Sequence, residues 1–489
     1  VNPSDYDLWQ PVIGLEIHVQ LQTKSKLFSS APNRFGDEPN TNITDVCTGQ
    51  PGTLPVLNKE AVHKAVQFGS AVKAHIARYS CFDRKSYFYP DSPRNYQITQ
   101  FFHPILRGGV VCAEVAGSPH HFFINRAHLE DDSGMLKHFS SFAGIDYNRA
   151  GAPLLEVVSE PCIHSPEEAS AYAKAIREIM LYLGACDGNM EEGSFRMDVN
   201  VSVRLKTEEG LRPKIEIKNM NSFSNMEIAL REEIRRQIDL YTEHPTILPK
   251  ELLFAGTYRF DPESKKVLPM RRKEEAHDYR YFPEPDLVPL ILSEEYIEEV
   301  TKRLPELPWE RYQRYRELGL TKDTARTLID CKPLGDFFHA SIPWCHNAKM
   351  LANWILVEFT GRVQSQGQTL QESALSPQYV ATLVNMVEEG TITGKIAKNV
   401  ADEMLLYPTV DPRTIVQNNP DYQPLADTSF LEGLVVQVLK DNASSIADYL
   451  AGKQRAFDYL VGQVMKLCKG KASPSAVHAL LQDKLREYS

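Results

Sequence analysis

Residues Pro11–Thr23 read PVIGLEIHVQLQT. Ile13, Leu15, Ile17, Val19 and Leu21 alternate with Gly14, Glu16, His18, Gln20 and Gln22. That period of two belongs to a strand with one apolar and one polar face. Glu16 and His18 share the polar face, about 6–7 Å apart along the strand. A carboxylate beside an imidazole suits half of a metal or acid–base site, and it equally suits the outward face of a half-solvated strand. The choice rests on whether other segments bring matching groups.

Several do. In PLLEVVSEP, Glu156 sits in a run apolar enough for a central strand, where a carboxylate is costly unless paired or metal-bound. AHLEDDSG ends a β-rich segment with Glu130, Asp131 and Asp132 in a row, either a solvated turn or cation ligands. Phe195–Leu205 alternates cleanly and puts Arg196, Asp198, Asn200, Ser202 and Arg204 on one face. Short Asp, Asn and Ser are poor strand formers, so this face reads as the lining of a cavity. Lys214, Glu216 and Lys218 repeat the arrangement on the next strand, and the expected core is an antiparallel sheet with one charge-lined face.

Between these strands lie loops and helices. The segment from Phe28 to Asn58 is rich in Pro, Asn and Gly, and a helix is expected from Lys59 to about Ala77. Phe82–Gln100, FDRKSYFYPDSPRNYQITQ, interleaves Arg84 and Lys85 with aromatics, which suits a nucleotide or a nucleic-acid end, or an aromatic turn closing a core. Ser165-Pro166-Glu167-Glu168 starts a helix that should stop at Gly184. MRRKEEAHDYRYFPEPDL, from Met270, offers Arg271, Arg272 and Lys273 to a triphosphate, or forms an exposed charged loop that runs on to Arg280. From about Ser293 amphipathic helices follow one another, with an irregular link over residues 407–425. The 39 residues from Ala451 carry seven Lys or Arg against three Asp or Glu, a basic patch suited to a phosphate backbone or a solvated helix end.

The 489 residues exceed one core, so two to four domains are expected. A net charge of −10 argues against indiscriminate nucleic-acid binding, and no run approaches a membrane span. The eight cysteines form no C-x-x-C pair, which suits a reducing cytoplasm. P-loop, Rossmann and G-x-S-x-G motifs are missing, as is any Ser- and Lys-rich amidase signature. The residues alone thus describe a metal-dependent enzyme acting on a phosphate-bearing substrate through positioning and charge neutralisation.

Several blocks carry a more specific resemblance. VIGLEIHVQLQTKSKLFS, FDRKSYFYPDSPRNYQITQF, AHLEDDSG, NRAGAPLLEVVSEP, MEEGSFRMDVNVSV, EIKNMNSF, KEEAHDYRYFPEPDL, GTITGKIAK and LVGQVMKLCKGKASP run almost end to end. Together they resemble the B subunits of the tRNA-dependent aspartyl/glutamyl amidotransferases, the GatB family. The resemblance implies an α+β fold: a cradle-like domain on an antiparallel sheet (residues 1–294), an all-α helical domain (295–410) and an all-α YqeY-like tail contacting tRNA (411–489). It implies a ligase that uses ATP to phosphorylate the side-chain carboxylate of Glu-tRNA(Gln), Asp-tRNA(Asn) or both. Ammonia from a partner amidase (A) subunit then gives the amide, and a small (C) subunit clasps the pair.

By the same resemblance Glu16, His18, Glu130 and Glu156 would hold Mg²⁺, with Asp198 and Asn200 on the pocket wall. Lys218 and Arg280 would neutralise phosphate charge, while Arg84, Lys85, Arg271 and Lys273 would bind the nucleotide. Some relatives hold structural zinc on four cysteines near residues 28–50. Only Cys47 stands there, beside Ser29 and Ser30, so no zinc is expected. Asp131 replaces a second Glu common in the family, which weakens any ligand role for it. Two other readings compete: a free-standing metal-dependent phosphate-ester hydrolase, and a non-catalytic tRNA-binding scaffold.

Overall fold

In the computed structural model the described residues are 7–220, 222–253, 255–272, 278–422, 428–450, 452–468 and 471–487. The alternation that opens the chain becomes strand β1 (Trp9–Gln20). The strands that follow are β2 (Asp83–Ser86), β3 (Tyr96–Thr99), β4 (Val110–Val115), β5 (Ser118–Asp131) and β6 (Pro153–Ser159). Then come β7 (Phe195–Leu205), β8 (Ile215–Met220), β9 (Gly256–Asp261) and β10 (Lys266–Arg272). A ten-stranded sheet has the order β10-β9-β8-β7-β1-β6-β5, extended by the short pieces Leu106–Arg107 and His75–Ile76, with β4 paired to the outer part of β5. β1 is therefore central, hydrogen-bonded antiparallel to β6 on one side and β7 on the other.

The sheet departs from the antiparallel expectation at one pair. β8 and β9 run parallel, because the helix Phe223–Glu243 lies between them and carries the chain back as a crossover, which parallel neighbours require. Helix α1 (Lys59–Ala71) also ends earlier than expected. Lys73 takes φ +55°, and His75–Ile76 pairs as a strand with Leu106–Arg107.

Helices α2 (Pro166–Tyr182) and α3 (Phe223–Glu243) cover the apolar face with α1. The start of α2 is the reciprocal cap that its sequence announces. Ser165 Oγ accepts from the Glu168 N–H at 3.1 Å, and the Glu168 carboxylate accepts from the His164 N–H at 2.7 Å. Such a cap contributes about 1 kcal/mol. Ile13, Leu15, Ile17 and Val19 of β1, Val199, Val201 and Val203 of β7, and Tyr172 of α2 are fully buried in one core. Each aliphatic side chain so placed stabilises by roughly 1.5–3 kcal/mol. The polar face is left for the site.

The first compact unit runs to Glu310, beyond the change of texture at Ser293. Helix α4 (Glu294–Lys302) explains the difference: Leu292 and Val300 join the sheet domain's core, and Tyr296 Oη lies 3.0 Å from His63 Nδ1 of α1.

The second unit, Arg311–Ser489, is helical. Leu351, Trp354 and Ile355 are buried as their spacing predicts, although Trp354–Phe359 forms a π-helical turn rather than regular α-helix. Helix Pro377–Glu388 buries Val380, Leu383 and Val384 and is followed by Gly390 at φ +74°. Within the expected link over 407–425, Asp411 caps a helix at Pro412–Asn418, and residues 423–425 lie outside the described residues. Helices Thr428–Asp441, Ala443–Leu450, Gln454–Leu467 and Pro474–Arg486 enclose a core of their own around Val435, Leu460, Val464 and Leu481. No described helix is long and apolar enough to cross a membrane.

Candidate active site and metal centre

Register puts the polar groups together. Across β1 and β7, Glu16 lies opposite Asp198 and His18 opposite Arg196. Across β1 and β6, His18 lies opposite Glu156, and across β6 and β5, Glu156 lies opposite His128. Directly opposed residues share a face, and period two places Glu130 on the same face as His128. Four neighbouring strands thus turn their charged groups to one side of the sheet.

At its centre two imidazoles and two carboxylates interleave. His18 Nε2 is 3.7 Å from Glu130 Oε1 and 3.5 Å from Glu156 Oε2. His128 Nε2 is 3.5 Å from Glu130 Oε2 and 3.4 Å from Glu156 Oε2. Burial alone would raise the Glu156 pKa, but His128 and His18 hold it well below the carboxylate range. Burial would likewise lower the His18 pKa, and Glu156 and Glu130 instead push it up to about 9. One ligand atom each from His18, Glu130 and Glu156 fits within a 4.8 Å span, the size of one cation's inner shell. Two carboxylates with one imidazole fit a Mg²⁺-like ion, whose hard character favours oxygen, with His18 the atypical donor.

Glu16 stands beside the converging donors. It shares the face but not the converging set, being two residues from His18 along the strand and held by Asn200 Nδ2 at 2.9 Å. Burial, then Glu156 and Glu216, raises its pKa.

Around this centre is a cleft of about 880 Å³, lined by Glu16, His18, Glu130, Glu156, Asp198 and Asn200 among others. Lys85, Lys214 and Lys218 supply cations to the same walls. Lys218 Nζ is tied to Asp198 at 2.9 Å and Glu216 at 3.1 Å, which raise its pKa against the effect of burial. Lys85 Nζ lies over the Tyr279 ring at 4.9 Å and has no carboxylate within 4 Å among the described residues. At the edge, Arg196 pairs with Asp132 at 2.8 Å. Asp131 is taken up by Arg94 and by the Ile98 N–H at 2.9 Å, so it is spoken for structurally.

The remaining sequence candidates divide. Arg84 does not line the cleft; its guanidinium grips Glu284 through two hydrogen bonds, 2.7 and 2.9 Å, and reaches Asp286 at 3.2 Å. Arg280 is also away from the cleft walls, on an exposed turn at φ +48° with Asp278 4.0 Å distant. Arg271 belongs to β10, but its side chain, like all of Lys273, lies outside the described residues. Cys47 faces the cleft with its sulfur 3.1 Å from Ser29 Oγ and 3.6 Å from the buried Lys26 Nζ.

Arg84→Ala is expected to destabilise the fold, because it leaves the fully buried Glu284 carboxylate with the Asp286 N–H but without a cation. Breaking such a pair costs about 3–5 kcal/mol. Chemical denaturation should show that loss, while the KM for ATP in a reconstituted amidation assay stays at its wild-type value.

His128 of the cluster and Lys26 of the cleft wall are the site residues that sequence reading missed, whereas Arg196 and Lys214 line the cleft on the charged faces where the alternation puts them. For His128 a signal existed: in RAHLED a His stands two residues from a Glu, as in GLEIH, so both share one face.

The profile of the GatB/GatE catalytic domain matches residues 11–298, and that of the GatB domain matches residues 336–485. The chain belongs to the GatB family. It is 62% identical over 485 residues to the B subunit of the aspartyl/glutamyl-tRNA(Asn/Gln) amidotransferase of Protochlamydia amoebophila, covering 99% of this chain and 98% of that one. The proteins of the same name from Chlamydia abortus and Chlamydia caviae are 55% and 54% identical over 477 residues, each with 97% of this chain and 98% of the relative covered. In GatB terms, the match to the catalytic domain contains every charged residue named on this face, from Glu16 of β1 to Lys218 of β8.

Proposed function

We propose that this chain is the activating subunit of an aminoacyl-tRNA amidotransferase, working on Glu-tRNA(Gln), Asp-tRNA(Asn) or both. A side-chain carboxylate oxygen of the esterified amino acid attacks the γ-phosphorus of ATP, the bond to the β-phosphate oxygen breaks, and ADP leaves. Ammonia then attacks the acyl carbon of the mixed anhydride, and phosphate departs to leave the amide. The ammonia comes from an amidase partner, with a small third subunit completing the assembly in the cytoplasm. The observation that carries this reading is the sharing of one cleft by a carboxylate–imidazole cluster and several lysines. Phosphoryl transfer needs chiefly positioning and charge neutralisation.

A Mg²⁺ ion bound there would neutralise charge on the transferring phosphoryl oxygens. Its holders would be His18, Glu130 and Glu156, whose donor atoms converge. Lys85 is the cation assigned to the nucleotide's phosphates: like Lys214 it has no carboxylate within 4 Å among the described residues, and it is the one whose charge Glu130 and Glu156 of the cluster support. Lys218 is shared between Asp198 and Glu216 and orients that wall. Glu16, held by Asn200, borders the place where the acceptor carboxylate must arrive. The polar sheet face would be the floor of a cradle for the acceptor end of the tRNA. The helical parts 295–410 and 411–489 would act separately, the tail touching tRNA.

Reconstitution with amidase and small subunits tests the proposal. ATP-dependent formation of Gln-tRNA(Gln) or Asn-tRNA(Asn) from the mischarged tRNA is the result expected. ATP or phosphate-ester turnover that ignores tRNA would favour the hydrolase reading, and tRNA binding without ATP use would favour the scaffold.

A further inference from the structure

The converging donor set consists of His18, Glu130 and Glu156, and leaves the second imidazole of the cluster without a task. His128 is buried, with its Nε2 3.5 Å from Glu130 Oε2 and 3.4 Å from Glu156 Oε2. Its other nitrogen, Nδ1, faces Arg126 Nη2 at 3.4 Å. Nε2 faces two carboxylates, which can only accept, so a ring proton resides on Nε2. Arg126 is anchored in turn. Its Nη1 donates to the Phe101 carbonyl at 2.8 Å and its Nη2 to the Gln100 carbonyl at 3.3 Å. Gln100 closes the loop by accepting from the Leu129 N–H at 3.0 Å, between His128 and Glu130 in sequence.

We propose that His128 is the positioning residue of the cation site: anchored by Arg126, it holds Glu130 and Glu156 in the rotation that a cation between them and His18 requires. Glu130 shows the consequence, since Oε2 faces His128 while Oε1 faces His18. Thr99 Oγ1 also donates to Glu130 Oε2, at 3.3 Å, but it does not reach across to Glu156. Without the Nε2–H the two carboxylates lose one of the two imidazoles that tie them together, His18 being the other among the described residues. Outer partners that orient ligands in this way typically matter 10–100-fold in metal affinity, to order of magnitude. This inference rests on the cation reading above.

The test uses Mn²⁺ as the probe on the purified full chain, with free Mn²⁺ counted by electron paramagnetic resonance. His128→Leu is expected to weaken Mn²⁺ binding by about 10–100-fold. In His128→Gln the amide N–H reaches the place of Nε2, and its affinity should lie closer to wild type than to His128→Leu. Should the Leu variant fail to fold, His128→Asn replaces it, since its amide falls short of that place. Thermal unfolding without metal separates loss of binding from loss of fold. Wild-type affinity in a folded His128→Leu chain overturns the inference, as does a Gln variant no better than Leu or Asn. Failure of the wild-type chain to bind Mn²⁺ overturns the cation reading itself, and this inference with it.

Discussion

Glu156→Gln is expected to lower ATP-dependent amidation of mischarged tRNA by about 10³-fold or more while leaving assembly with partner subunits intact. The amide is isosteric, so β6 keeps its place in the sheet, and what changes is charge. Among the described residues Glu156 is the one carboxylate within 3.5 Å of both imidazoles, and they keep it ionised despite its burial. Neutralising it removes the main anionic partner of His18 and, in the proposed reading, a cation ligand as well. Single-turnover phosphorylation and co-purification of the subunits measure the two halves of this prediction. Turnover within a few-fold of wild type would remove Glu156 from the mechanism.

Lys85→Met is expected to cost about 10²–10³-fold in kcat, the usual consequence of losing one positioned group that meets developing charge. Burial would lower the Lys85 pKa, but Glu130 foremost raises it, so the side chain stays cationic at neutral pH. With no carboxylate partner within 4 Å among the described residues, this charge is available to a phosphate. Lys218 differs because Asp198 and Glu216 already share its charge. A Lys218→Met variant should therefore lose less than Lys85→Met. Steady-state amidation assays compare the two, and the reverse order would contradict the assignment of Lys85 to the phosphates.

Alternation makes much of this legible. β1, β6 and β7 are readable because a period of two exposes both faces of a strand, and His18 of β1 does come within 3.5 Å of Glu156 of β6. Distances across the sheet are not readable, so the sequence does not tell that the Glu16 carboxylate meets Asn200 while His18 meets Glu130 and Glu156. Arg84 fails for a related reason: a cation among aromatics suits a nucleotide, but its partner Glu284 stands 200 residues away. Similarly, the parallel pairing of β8 and β9 depends on how a helix returns the chain, which periodicity does not encode. The end of the first unit at Glu310 depends on α4 packing against α1, although its helical pattern resembles that of the second unit.

The central claim is that one cation, held by acids and an imidazole from three strands, meets the phosphates of ATP. Pulsed paramagnetic resonance of Mn²⁺ and ATP bound to the full chain tests it directly. The account predicts nitrogen-14 modulation from His18 and phosphorus-31 coupling from ATP on the same ion, with the nitrogen signal lost in His18→Gln. A Mn²⁺–ATP complex that shows phosphorus coupling without nitrogen, unchanged by His18→Gln and Glu156→Gln, would contradict it.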